Sequence, residues 1–299
     1  MKRVLVGVAA VLGLGAMGAG GFVHSQVSAF DESMARVHDV APPAITASKD
    51  EAVIARGKHL VDVVGCSGKD CHGSDLAGGQ SLVMGPVATL TGPNITPAGV
   101  LSVYSDGEIA RVIRHGVRKD GRSLQFMPSQ ELSWLPDDDL TAIVSYLRTV
   151  PPVEKANGPN EVGVIGKVLD RQGKLPLDVA RAVEGVGDER AGKPEPTAAY
   201  GRFLARGCTG CHGPGLSGGA IPGAPADLPI PLNITPHETG IAGWSYEDFD
   251  ALMTKGEKKK GGKLDPFMPI DGFSKMDETE KRALYAYLME QPPAPFGGR

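Results

Sequence analysis

At 299 residues the chain has room for two domains of ordinary size. Its formal net charge of −4 lacks the basic balance of a nucleic-acid binder, so no nucleic-acid partner is expected. Aromatic residues make up only 5% of the chain, which suits a core completed by a bulky apolar group other than side chains.

Lys2 and Arg3 precede an uncharged run over residues 4–23, about the ~20 residues that a membrane-spanning helix requires. The basic start would keep the N-terminus cytoplasmic and send the rest outward. Ala9, Gly13, Ala16 and Gly20 include small-xxx-small pairs that let helices pack closely in lipid. Residues 1–29 are therefore expected to be an uncleaved anchor. The alternative is a signal segment cut after Val27-Ser28-Ala29. Residues 30–47, with Pro42-Pro43, read as a linker. Ser48-Lys49-Asp50-Glu51 then has the form of a capping box, opening a helix to about Val64 that delivers Cys66.

That helix leads to Cys66-Ser67-Gly68-Lys69-Asp70-Cys71-His72, a stretched form of Cys208-Thr209-Gly210-Cys211-His212 further on. C-x-x-C-H is the attachment signature of a c-type haem: the two thiols add to the vinyl groups and the histidine faces the iron. The upstream copy has four residues between its cysteines, so the insertion must bulge away from the porphyrin, and Gly68 gives the backbone freedom for it. Zinc would need four converging ligands, but the two clusters are far apart in sequence. A thioredoxin-like pair would need a βαβ surround. A structural disulfide explains neither histidine. Two covalently attached haem c groups are expected. Such attachment takes place on the far side of the bacterial inner membrane, which puts the domains in the periplasm.

The chain repeats itself. His212 follows His72 by 140 residues, Asn233 follows Asn94 by 139, and Gly256 follows Gly116 by 140. Each half runs through a Cys-His-Gly site, a Leu-x-Gly-Gly loop, an Asn-Ile-Thr-Pro segment, a helix, a Met-Pro turn and a last helix before a double proline. The middle helices are expected to open at Ser105 and Ser245 and to end at Gly116 and Gly256; the last are expected to start near Pro136 and Asp277. No strand-period pattern of useful length appears. The fold class is all-α: two tandem haem-wrapping domains at 48–152 and 197–299 behind an N-terminal membrane helix. Residues 153–196 join them, with one weakly helical patch at 175–183, and should lie across both domains instead of dangling.

The repeat also sorts the second iron ligands. Of nine methionines only Met127 and Met268 coincide, 141 apart, and both stand in Phe-Met-Pro. Core packing is the usual role of a methionine, but a pair at matching places on proline-stiffened loops fits axial ligation. The iron ligands are thus His72 with Met127 and His212 with Met268. His115 is the alternative in the first domain, whereas His59 and His237 have no matching partners and read as exposed polar residues. The Asn-Ile-Thr-Pro segments are either simple turns or donors to a haem propionate. Arg111, Arg114, Arg118, Lys119 and Arg122 precede Met127, and Lys255, Lys258, Lys259, Lys260 and Lys263 precede Met268. Each cluster is either a docking face for an acidic partner or a solvated loop.

Leu232-Asn233-Ile234-Thr235-Pro236, Glu238-Thr239-Gly240-Ile241, Gly243-Trp244-Ser245, the Met-Pro turn and the Tyr-Leu helix together resemble a known family. It comprises the membrane-bound cytochrome c subunits of periplasmic alcohol, gluconate and related sugar dehydrogenases. The resemblance covers about 48–152 and 197–293, more closely in the second half. Those subunits typically carry three haem sites, and this chain has two. The resemblance implies single-electron transfer from a dehydrogenase or other redox protein to a respiratory oxidase or quinone-linked complex, with no catalysis by the chain itself. The alternative is a dihaem enzyme, peroxidase-like or thiosulfate-oxidising, which would need a displaceable axial ligand.

Overall fold

The computed structural model describes residues 2–222, 224 and 227–298, with side chains described from residue 19 onward. Helix α1 (Lys2–Ala35) continues into the stretch read as a linker and is followed by extended chain. The first half holds α2 (Glu51–Val63), strands β1 (Leu82–Val83) and β2 (Ala88–Leu90), then α3 (Asp106–His115), α4 (Ser129–Leu132) and α5 (Asp137–Thr149). Between the halves lie β3 (Glu161–Val162), α6 (Val164–Arg171) and α7 (Val179–Glu184). The second half holds α8 (Ala198–Leu204), α9 (Arg206–His212), α10 (Tyr246–Lys255), α11 (Ile270–Phe273) and α12 (Glu278–Glu290).

Local chemistry sets the helix ends. Ser105 and Ser245 cap α3 and α10, each in a reciprocal box with the acid three residues on, and Gly116 and Gly256 end both at φ 64°. Helix α2 departs from expectation: Asp50, not Ser48, is its N-cap. The Asp50 carboxylate accepts from the Ala52 and Val53 amides, and the Ser48 hydroxyl accepts from the Asp50 amide instead.

Each half is held by its first helix crossing its last, backbone against backbone. A Cβ on Gly57 would overlap the carbonyl oxygen of Ala142 in α5, and one on Gly201 would overlap that of Ala283 in α12. Tyr146 and Tyr287 lie beside the two crossings. Only glycine permits so close an approach.

The all-α expectation needs one amendment, a three-stranded antiparallel sheet in the order β1-β2-β3, pairing Leu82 with Leu90 and Ala88 with Val162. Its strands are two or three residues long, too short to show a period. Helix α6 also escaped the sequence pattern. Phe30 from α1 is buried with Leu90 and Leu177 in a small second core, flanked by Met34 and Val162. Asp31 pairs with Lys167 at 2.6 Å, and the Ser33 hydroxyl donates to Asp178. The end of α1 is thus mounted on the segment between the halves. Most of the expected span, residues 4–18, lies outside the described side chains; among the described residues no helix is long and apolar enough to cross a membrane.

The two halves pack reciprocally. Helix α4, after the first Met-Pro turn, touches α9 of the second attachment site; α11, after the second turn, touches α2 of the first. Trp134 meets Tyr200 edge-on and Phe203 at a tilt across the boundary, with centroids 6.5 and 5.8 Å away. Lys275 pairs with Asp62 at 3.1 Å. Beside them Glu280, fully buried, accepts from His59 Nε2 at 2.9 Å and from Arg56 at 3.2 Å, while Arg56 also holds Asp139. His59, read from sequence as an exposed polar residue, is instead half-buried in this clasp.

The clasp carries a pH dependence. The hydrogen bond to Glu280 raises the His59 imidazole above its ordinary value, outweighing burial. Burial alone would push the Glu280 carboxyl up, but the His59 hydrogen bond and charge hold it below the usual range. The raised histidine stabilises fully below about 6.5, and this is lost as pH rises through its folded value; the lowered carboxyl stabilises above about 4.3, lost as pH falls. Arg56 and Asp277 also act on the pair, and the Tyr200 hydroxyl is coupled to Glu280. Thermal unfolding of the full chain should therefore show a maximum between those values. His59→Phe, the residue domain two carries at the matching place, should flatten the alkaline decline; an unchanged profile would contradict the clasp.

Candidate functional site

Both attachment histidines are supported alike. His72 Nδ1–H donates to the carbonyl of Pro93 at 2.8 Å, and His212 Nδ1–H donates to that of Leu232 at 2.7 Å. This places the proton on Nδ1 and presents the Nε2 lone pair for ligation. Burial lowers the pKa of His72, keeping it neutral as a metal ligand requires, against the opposing Pro93 bond.

The carbonyl is itself braced, and here the Asn-Ile-Thr-Pro segments act. Asn94 is buried; its Oδ1 accepts from the Thr96 amide and hydroxyl, and its Nδ2 donates to Val153 O at 2.7 Å. Asn233 does the same with Thr235 and donates to Ala294 O at 2.7 Å. Both Nδ2 groups also reach a second acceptor, Lys155 O in one half and the Thr239 hydroxyl in the other. Their donors are spent within the protein, so the turn is the correct reading and the propionate donor is not. The segment leaving each last helix thereby pins the loop that aims the histidine.

The widened motif keeps the geometry of the regular one. In the second half Cys208 and His212 lie on α9, four residues apart. In the first half the His72 amide donates to Cys66 O at 3.1 Å, so six residues span a backbone relation that a helix makes with four. The extra residues fold into a loop closed by Cys71 N–H to Gly68 O and Gly73 N–H to Gly68 O. The displaced Cys71 carbonyl needs room: a Cβ on Gly92 or Gly79 would overlap it. At the place of Gly92 the second half has Pro231.

Among the described residues no disulfide forms; Cys208 is buried, Cys66 and Cys211 half-buried and Cys71 exposed. Burial, and then the neighbouring Cys71, pushes the Cys66 thiol up to about 12, and burial with Glu131 does the same to Cys208. Neither pair has the βαβ surround of a thioredoxin-like site, since the first follows helix α2 and the second lies on α9. The Met-Pro turns also match. Met127 and Met268 each accept at their carbonyl, 2.7 Å from the amide two residues on, and Pro128 and Pro269 share φ −77°. Met127 packs half-buried on the main core. Met268 lines a cavity of about 1450 Å³ together with Cys71, Leu76 and Met276, bringing the second Met-Pro turn to the first attachment loop. His115 lines a different, smaller cavity with His38 and Arg190.

Sequence reasoning missed Glu131, whose matching position in the second half is Gly272. Its Oε1 lies 2.7 Å from where a Cβ on Gly210 would stand, between the second site's cysteines, and burial pushes its carboxyl up to about 7. Two of the basic residues assigned to a docking face are buried instead. Arg111 donates to Val40 O and Arg118 O, and Arg114 donates to Leu135 O and pairs with Asp137.

A model of the cytochrome c family matches residues 198–292, and a model of cbb3-type cytochrome c oxidase subunit III matches residues 52–147. The chain carries two cytochrome c domains. The cytochrome c subunit of alcohol dehydrogenase (quinone) from Gluconacetobacter polyoxogenes is 26% identical over 84% of this chain and 58% of its own length. The chain thus spans less than two thirds of that subunit. A dihaem c-type cytochrome of Cereibacter sphaeroides is 24% identical over 80% of this chain and 86% of its own length. The gluconate 2-dehydrogenase cytochrome c subunit of Pantoea cypripedii is 36% identical over 30% of this chain and 22% of its own length. Haem c is the group such domains hold, and the thiol pairs and supported histidines described above fit it. Gly92→Pro should abolish haem loading in domain one alone, leaving one haem per chain by intact mass spectrometry, while Pro231→Gly should keep both. Full loading of Gly92→Pro would show that Cys71 does not need that space.

Proposed function

We propose that this chain is a membrane-anchored, periplasm-facing dihaem cytochrome c passing single electrons between a dehydrogenase and the respiratory chain, through an oxidase or quinone-linked complex. One observation above all supports this: both halves build the same histidine support and the same Met-Pro turn, and each turn's helix leans on the other half's attachment site. Haem c, when bound, supplies one-electron exchange between ferrous and ferric iron. Cys66 with Cys71, and Cys208 with Cys211, hold the two groups by thioether bonds. His72 and His212 each present Nε2. Met127 and Met268 present soft, neutral thioethers, which favour ferrous iron and close the site to other ligands.

The dehydrogenase subunits among the relatives support a dehydrogenase as partner. The dihaem enzyme is the weaker reading, because it needs an open site on the methionine side. Glu131 stands against Gly210, between the second site's cysteines, where its carboxylate faces the attachment helix. The anchor is supported by Lys2 and Arg3 before an uncharged run of membrane-spanning length. The full chain should stay with membranes in high salt and leave with detergent; release by salt alone, or a native N-terminus at Phe30, would contradict the anchor.

Met268→Ala separates carrier from enzyme. The variant should keep its haem through Cys208 and Cys211, gain carbon monoxide binding at that site and fall in potential as the thioether is lost. If the parent already binds carbon monoxide at both sites and the variant's spectrum is unchanged, Met268 is a core residue and the enzyme reading moves ahead.

A further inference from the structure

The two halves match closely at the histidine and the methionine, yet differ at the hairpin between them. In domain one residues 116–124 form a hairpin closed by a bridge from Val117 to Ser123, and in domain two residues 256–264 form the same hairpin, closed from Glu257 to Lys263. The first is covered by the chain itself. Val179 N–H donates to Leu124 O and Ala180 N–H to Ser123 Oγ, while His38 N–H donates to Gly121 O from the other side. Val117 and Ser123 are each 1% exposed, and a Cβ on Gly121 would come within 2.7 Å of Val37.

The second hairpin is bare. A Cβ on Gly261 would meet nothing within 4 Å, and one on Gly256 nothing nearer than 3.9 Å. Residues 255–263 hold five lysines and one glutamate, in a chain whose total charge is −4. Lys259 pairs with Asp248 and Lys263 with Glu257, both at the surface, where such pairs hold charge only weakly. Lys255, Lys258 and Lys260 are exposed and have no carboxylate partner among the described residues. Three residues beyond the hairpin Phe267 is 44% exposed, next to Met268. The hairpin of domain two thus presents a cationic surface next to the exposed Phe267 and the second Met-Pro turn, the pattern of a transient protein interface.

We propose that this hairpin docks an acidic, single-electron protein partner, so that electrons pass between the chain and its partner at domain two, while the matching face of domain one is closed by α7 and the segment after α1. This rests on the carrier reading, and the choice of redox probes separates the two. The reduced full chain is mixed with oxidised plastocyanin, a blue copper protein with an acidic patch, and in parallel with ferricyanide. Transfer to plastocyanin should slow about tenfold as ionic strength rises from ~10 mM to ~500 mM, as screening removes the attraction. Lys258→Glu with Lys260→Glu should lose a similar factor at low salt and most of the salt dependence; Arg122→Glu on domain one's hairpin should change neither. Ferricyanide turnover with lysine-variant rates equal to the parent's, or with no transfer to plastocyanin, overturns the docking face and leaves the carrier standing. No transfer to either probe overturns both. If the double variant instead loses only binding to phosphatidylglycerol vesicles, the patch faces lipid and the proposal fails.

Discussion

An imidazole donating to a backbone carbonyl is the constraint on which the rest depends. It sets the tautomer and the ring plane of His72 and His212, and it works only if Pro93 and Leu232 cannot move. Immobility comes from the next residue in each case. Asn94 and Asn233 fold their own turn with one amide end and hold the chain beyond the last helix with the other, at Val153 and Ala294. That last helix is in turn locked to the first by backbone contact at Gly57 or Gly201. The helix that delivers the cysteines and the loop that aims the histidine thus belong to one closed circuit in each half.

Much of this was legible in the residues. The offset near 140 pairs the histidines, the methionines and the asparagines from the residue order alone, and the capping chemistry at Ser105 and Ser245 places two helices to the residue. What stayed hidden depends on contacts distant in sequence. Arg111 and Arg114 look like surface charge until Val40, Leu135 and Asp137 arrive to satisfy them. His59 looks solitary because its partner, Glu280, is in the other half. Strands of two or three residues have no period to detect. Gly57 and Gly201 were visible as letters, but nothing local says that a carbonyl will press on them.

The departures from symmetry are as informative as the symmetry. Domain one accepts two extra residues between its cysteines because Gly79 and Gly92 clear the Cys71 carbonyl, whereas domain two, with a regular helix there, tolerates Pro231. Domain one also gives up its hairpin face to α7 and the mount of α1, and domain two keeps its own open. Glu131 and Gly272 mark the same divergence at the boundary, a large acid facing Gly210 on one side and a glycine facing Asp62 on the other.

Both halves are expected to hold haem, including the one with the widened motif. A pyridine haemochrome assay on the denatured native chain, set against protein concentration by amino-acid analysis, tests it most directly. Two haems per chain are expected. A value of one, with the adduct confined to the Cys208 peptide, would mean that the bulged loop at residues 66–72 keeps the backbone geometry of an attachment site without serving as one.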